Sequence, residues 1–222
     1  ILHRLVGSEM CIRDRSRTGR GLKRGGDIVF SLAVLGLGAP VLLLLAALVK
    51  LSSPGPVFYV QRRVGRDYSR FGCIKFRTMR ADADAVLARV LDEDPGLRSE
   101  FERDFKLRRD PRITRVGQFL RRSSLDELPQ FLNVLRGEMS VVGPRPIVDR
   151  ELTRYGDYMD EVAAVRPGLT GLWQVSGRNN LSYKKRVKLD LAYARGRSFS
   201  LDLAIILRTF GVLLLPMDRG AY

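Results

Sequence analysis

Histidine is almost missing from this 222-residue chain: the only one is His3. A Ser-His-Asp triad, a His-ligated zinc and a histidine general base each lose their key residue. Cysteine is nearly as scarce. Cys11 and Cys73 show no paired spacing, so neither a disulfide framework nor a cysteine zinc site is expected. Lysine is sparse as well, with seven residues against 32 arginines, and there is a single tryptophan. Catalysis by this chain must therefore run on carboxylates, arginines, lysines or a bound cation.

What is present is arginine. With 39 basic and 24 acidic residues the net charge is +15. Arginine offers planar, bidentate donors suited to phosphate, so anionic lipid, nucleotide and nucleic acid are the partners to consider. High genomic G+C content would also raise arginine, which is the competing account of the excess. A composition 45% hydrophobic and 28% charged fits a folded chain, of a length for one domain with an appendage. The opening run ILHRLVGSEMCIRDR has no helical or strand period. It resembles translated adapter-like sequence, so residues 1–16 read as a non-native tail and are set aside.

Charge is absent from residues 28–49, IVFSLAVLGLGAPVLLLLAALV. A straight helix of that length, about 33 Å, would reach across a bilayer. Pro40 stands near its middle, after Gly36 and Gly38, and a mid-helix proline removes a backbone hydrogen bond. Both flanks are basic, with Arg20, Lys23 and Arg24 before and Lys50, Arg62 and Arg63 after, whereas spanning helices carry the excess on one side. The pattern predicts two arms bent at Pro40 that return to one face. The carbonyl of Gly36, freed by the proline, would then need another partner. A kinked span and a buried core helix are the competing readings.

Further along, SSPGP at 52–56 is a turn. Residues 57–60 and 73–76 read as strands of a hairpin around the polar turn 65–70. Residues 81–91 read as a surface helix, 92–111 as a charged excursion and 113–120 as a short helix. Leu128, Phe131, Leu132 and Leu135 recur at helical spacing, which predicts one buried face ending at Gly137. Residues 182–195 read as a basic helix. Residues 200–215 read as an apolar helix in the core or along a membrane interface, since Arg208 disfavours a span.

The chemistry concentrates in residues 123–146, SSLDELPQFLNVLRGEMSVVGPRP. Asp126 and Glu127 are adjacent carboxylates behind Arg121 and Arg122. Two readings of the acid pair stand. Ser124-x-x-Glu127 is a capping box, and acids in a first helical turn complement the helix dipole. Equally, a helix N-terminus draws phosphate, a carboxylate there can attack phosphorus, and its neighbour can hold Mg2+. Arg145 is stiffened between Pro144 and Pro146, as a pre-organised cation or as part of a rigid turn. Lys75 and Arg77 fall on one strand face, which is either a phosphate-facing or a solvated edge. The loop at 165–180, VRPGLTGLWQVSGRNN, brings glycines that let backbone amides approach phosphate, and equally suits a plain turn. Arg166 and Arg178 flank its glycines and join the candidate substrate contacts. Trp173 reads as core. Asp190 and Tyr193 share a helix face and either close a polar site or serve structure.

From Lys23 onward the chain resembles the bacterial sugar transferases, monotopic polyprenyl-phosphate phosphoglycosyl transferases. The resemblance runs in order through KRGGDIVFSL, SPGPVFYVQRRVG, KFRTM, DPRITRVGQFLRRSSLDELPQFLNVLRGEMSVVGPRP, VRPGLTGLWQVSGRN and SFSLDLAIILRT. It is most like undecaprenyl-phosphate galactose or glucose phosphotransferases. The resemblance implies transfer of a sugar phosphate from a UDP-sugar to undecaprenyl phosphate, releasing UMP and starting O-antigen, capsule or exopolysaccharide assembly. It places a covalent nucleophile on Asp126, an Mg2+-associated acid on Glu127 and a substrate contact on Arg145. Some relatives carry Ser-Pro at the membrane break where this chain has Ala39-Pro40.

These readings together predict a mostly helical α+β protein. They place a basic flank and re-entrant membrane helix at 17–51, and a compact cytoplasmic catalytic domain with a small β-hairpin at 52–222. The expected cofactor is Mg2+, and the expected partners are a UDP-sugar, undecaprenyl phosphate, inner-membrane lipid and a second copy of the chain. No nucleic acid is expected, because acidic residues interleave the cations and no nucleic-acid motif stands out. The competing class is a non-catalytic, membrane-bound binder of anions or nucleic acid.

Overall fold

A computed structural model describes residues 17–104, 107, 109–177 and 181–214. Among them helix dominates, as expected. Two helices open the chain, α1 (Arg17–Leu37) and α2 (Ala39–Ser52). The hairpin strands β1 (Phe58–Val64) and β2 (Arg70–Phe76) follow, then α3 (Ala83–Glu93), α4 (Pro95–Asp104) and α5 (Arg115–Ser123). After a 3-10 turn at Leu125–Gln130 come α6 (Phe131–Arg136), β3 (Ser140–Val142), α7 (Leu152–Tyr155) and α8 (Met159–Ala163). The chain continues through β4 (Gly168–Thr170), α9 (Leu172–Val175), α10 (Tyr183–Gly196) and α11 (Phe199–Leu214).

The helix break falls at Gly38 rather than Pro40. Gly38 N–H closes the last turn of α1 on Val34 O at 2.9 Å, and Pro40 then stands in the first turn of α2. A first-turn proline lacks only an N–H that would have no intrahelical acceptor. No single helix among the described residues is long and apolar enough to cross a membrane; 19–37 and 39–52 pass that test only together, as a bent pair. Leu22, Val29, Leu32 and Leu37 of α1 are exposed, as are Val41, Leu43, Leu44 and Leu51 of α2.

Among the described residues two compact units are built from interleaved segments, the first from 17–39, 60–74, 129–177 and 181–214. Its core joins Val64, Ile147, Tyr155, Met159, Val162, Val187 and Leu191. β3 and β4 pair in parallel, Ser140 with Gly168 and Val142 with Thr170. The basic flank of α1 is bound into this unit. Arg24 donates to Val134 O (2.6 Å) and Leu135 O (2.9 Å) at the end of α6. Buried Asp27 accepts from Ser140 Oγ (2.7 Å) and Val141 N (3.1 Å) on β3. Lys23 pairs with Asp202 of α11 at 2.5 Å, and Tyr193 donates to the same carboxylate at 2.7 Å. Asn133, fully buried, accepts from Ile74 N (3.0 Å) and donates to Gly72 O (2.7 Å), so its amide lies along β2.

The second unit takes residues 40–59 and 75–128. Leu45 and Val49 of α2 pack with Phe76 and Leu120, joined by Leu42, Val57, Val116, Leu125 and Leu128. Thr114 caps α5 by accepting Gly117 N–H at 2.9 Å. Gly117 is required there, because any Cβ would collide with the backbone of Thr78.

Three expectations are corrected. The charged excursion at 92–111 contains the helix α4; its residues are polar on most faces, so no apolar period announced it. Ser124 is not a helix N-cap. It adopts φ 58°, ψ 16° and closes α5, whereas an N-cap residue takes an extended backbone. The acid pair consequently stands on a 3-10 turn, and α6 starts only at Phe131. That turn advances by three residues and shifts the phase of the following helix. Phe131 is buried as expected and Leu128 and Leu135 are half-buried, but Leu132 is 38% exposed and Asn133 and Val134 are buried instead, so the buried face is rotated from the expected one. Gly137 does end α6, at φ 83°.

Candidate active site

In the second unit, Ser124 turns the chain sharply enough that Leu125–Gln130 presents Asp126 and Glu127 side by side. Both are half-buried. Glu127 Oε1 accepts from Lys75 Nζ at 2.6 Å, which draws the penultimate residue of β2 onto the acid pair. Burial and the neighbouring Glu127 charge push the Asp126 carboxyl up to about 6, against the opposing pull of Lys75 and Arg121. Arg121, from the last turn of α5, is held by a 2.9 Å bond from Nε to Thr78 Oγ1. Burial lowers its pKa, and the Asp126 charge opposes that. The result is a carboxylate that ionises near neutrality, flanked by an anchored lysine and an anchored arginine.

Lys75, Arg121, Asp126 and Glu127 are thus brought together. Arg77 is not part of that group: β2 ends at Phe76, and the buried Arg77 donates to Ser53 O (2.6 Å) and Ser53 Oγ (3.0 Å) in the turn after α2. The shared strand face expected of Lys75 and Arg77 is lost with the end of the strand. Arg122 is exposed on α5. The pair would suit a hard cation. Among the described residues no three His, Cys, Asp or Glu side chains cluster, so two carboxylates would supply the protein ligands. That donor set fits Mg2+, which binds through few carboxylates plus substrate phosphate and water.

In the first unit, Arg145 is exposed between the buried Pro144 and Pro146. Its guanidinium lies 5.7 Å from the ring of buried Trp173, and Arg186 of α10 lies 4.9 Å from the same ring. Asp190 is fully buried and accepts from Tyr155 Oη at 2.8 Å. Burial pushes it up to about 7, against the Tyr155 bond and Arg145. Tyr193, expected to share a site with Asp190, instead serves Asp202. Arg166 donates to Gly137 O at 2.8 Å. Arg178 lies outside the described residues.

Thr78, Tyr155 and Arg186 were not singled out from sequence. Arg186 had a signal: Tyr183, Arg186 and Asp190 recur at i, i+3 and i+7, one face of α10. Thr78 and Tyr155 had none, because their partners are distant in sequence.

The model of the family described as bacterial sugar transferase matches residues 18–216. This chain belongs to that family. It is 49% identical over 205 residues to a UDP-galactose-lipid carrier transferase of Erwinia amylovora, covering 92% of this chain and 42% of that protein. It is 48% identical to an undecaprenyl-phosphate galactose phosphotransferase of Salmonella typhimurium, covering 93% of this chain and 43% of the relative. With the exopolysaccharide production protein ExoY of Rhizobium meliloti it shares 47% identity over 90% of this chain and 88% of ExoY. The chain therefore spans less than half the length of the first two and most of the third.

Proposed function

We propose that this chain transfers a sugar 1-phosphate from a UDP-sugar to undecaprenyl phosphate, releasing UMP and initiating a cell-surface polysaccharide. One observation carries the reading: Asp126 is a desolvated carboxyl, ionising near neutrality, between Lys75 and Arg121 in a member of this family. Relatives named for galactose and glucose transfer to lipid carriers support the substrate classes.

In the first half-reaction an Asp126 carboxylate oxygen attacks the β-phosphorus of the UDP-sugar. The bond from that phosphorus to the bridging oxygen breaks, and UMP departs with the electron pair. In the second, a phosphate oxygen of undecaprenyl phosphate attacks the same phosphorus and the acyl-phosphate bond breaks, restoring Asp126. Partial burial strips water from the carboxylate and raises its nucleophilicity. Arg121 and Lys75 stabilise charge that builds on the transferring phosphoryl oxygens. Glu127 and Asp126 would hold Mg2+, which when bound supplies Lewis-acid neutralisation of phosphate charge.

Exposed leucines and valines on α1 and α2 support burial of that pair in one leaflet, with both basic flanks on the cytoplasmic face of the bacterial inner membrane. UMP release from a UDP-sugar panel, with undecaprenyl phosphate in detergent, tests the reaction. Asp126→Asn should abolish transfer, and wild-type enzyme without acceptor should retain labelled sugar phosphate. Appreciable turnover by that variant would remove Asp126 as nucleophile.

A further inference from the structure

The first unit gathers three guanidiniums around two aromatic rings. Arg145 and Arg186 lie over Trp173, and Arg154 lies 4.9 Å over the ring of Tyr183. Tyr183 in turn feels the charges of both Arg154 and Arg145, and Arg186 feels that of Arg145, so the three cations share one neighbourhood. Stacking on aromatic faces orients a guanidinium without neutralising it.

The nearby carboxyls form no ion pair with Arg145 or Arg154 among the described residues, although the charge of Glu151 reaches Arg186. Asp190 is fully buried, is bonded by Tyr155 and carries charge only in part at neutral pH. Glu151 accepts Val148 N–H at 3.0 Å and stands 3.9 Å from Arg63. Arg145 and Arg154 are both exposed. Like charges held together by packing are unfavourable until an anion enters. Planar, flat-held guanidiniums suit phosphate oxygens bidentately.

We propose that Arg145, Arg154 and Arg186, seated on Trp173 and Tyr183, form a phosphate-binding site for a phosphate monoester or diphosphate. The assignment rests on the proposed phosphosugar transfer, whose two substrates both carry such a group, and it adds Arg154 and Arg186 to the residues that bind them.

Trp173 is the only tryptophan, so its emission reports on this site alone. The 222-residue chain in detergent would be titrated separately with UDP and with undecaprenyl phosphate, against chloride at matched ionic strength. A saturable change in emission is expected with at least one ligand. Arg154→Gln and Arg186→Gln should each weaken that binding about tenfold, the scale of one charge-assisted contact. In UMP release they should raise the KM of the same substrate more than they lower kcat. Arg195→Gln removes the same charge from an exposed ion pair with Glu161 and should leave both readouts unchanged. Response to UDP alone marks the site as a nucleotide subsite, response to the lipid alone marks a carrier subsite, and response to both marks a site used in each half-reaction. Unaltered binding in both variants, or a response equal to that of chloride, overturns the assignment while UMP release still stands. Loss of UMP release from the wild type overturns the reaction and leaves the binding result to decide the site.

Discussion

Asp126 sits where its charge is disfavoured, and that has a measurable cost. Its carboxyl is raised from 3.8 to about 6, so ionising it costs folding free energy as pH climbs between those values. Asp126→Asn should then unfold at a higher temperature than the wild type at pH 8 in chelator. A gain of roughly 1–3 kcal/mol is expected, in a protein that no longer turns over. Asp190 obeys the same sign. Raised from 3.8 to about 7 by burial, it contributes full stability below pH 4 and loses it as pH rises through 7. Asp190→Asn keeps an acceptor for Tyr155 and should flatten that decline in thermal melts taken from pH 5 to 8; an unchanged slope would mean the carboxyl is not the titrating group. The acid pair stands out in the sequence as two adjacent carboxylates after two arginines, but spacing alone reads it equally as a helix cap, and only the family resemblance gives it a chemical role. Its surroundings were not legible. Ser124 fits an N-cap pattern by identity, and only its left-handed backbone shows that it ends one helix rather than begins the next.

At the scale of elements, α1 is secured to the first unit mainly by polar groups. Lys23 has its amine on Asp202 and on Val142 O at 3.2 Å, Arg24 covers the end of α6, and Asp27 reaches β3. Removing one partner of such a pair strands the other. Lys23→Met should destabilise by about 3 kcal/mol or more in denaturant unfolding, and adding Asp202→Asn should restore much of it. Additive losses in the double variant would show that the two side chains act separately. Helices with an apolar period, and the hairpin, were readable before the fold was known. α4 was not, since few apolar residues line it, and the phase of α6 was not, since a 3-10 turn resets it. The break between α1 and α2 was placed two residues late. Proline is the stronger breaker inside a helix, but at a first turn it is harmless, and glycine took the break.

For the whole molecule, the apolar exposure is concentrated on helices. Besides α1 and α2, α11 exposes Phe199, Leu203, Leu207 and Phe210 at helical spacing. Such stripes suit a bilayer interface. Labelling tests the topology: single cysteines placed at Arg20 and Arg62 should react from the same side of sealed vesicles, and reaction from opposite sides would establish a span. Cys73, at 1% exposure, should stay silent in that experiment.

Asn133 has one more consequence. A two-stranded hairpin leaves the outer rim of each strand with backbone groups that another chain can pair. On β2 a side-chain amide takes up the N–H of Ile74 and the carbonyl of Gly72, standing in for a third strand one residue long. Those two groups of the rim are thereby taken up and withheld from pairing with a copy, and an apolar residue at 133 should turn a dispersed micellar preparation into one prone to aggregate.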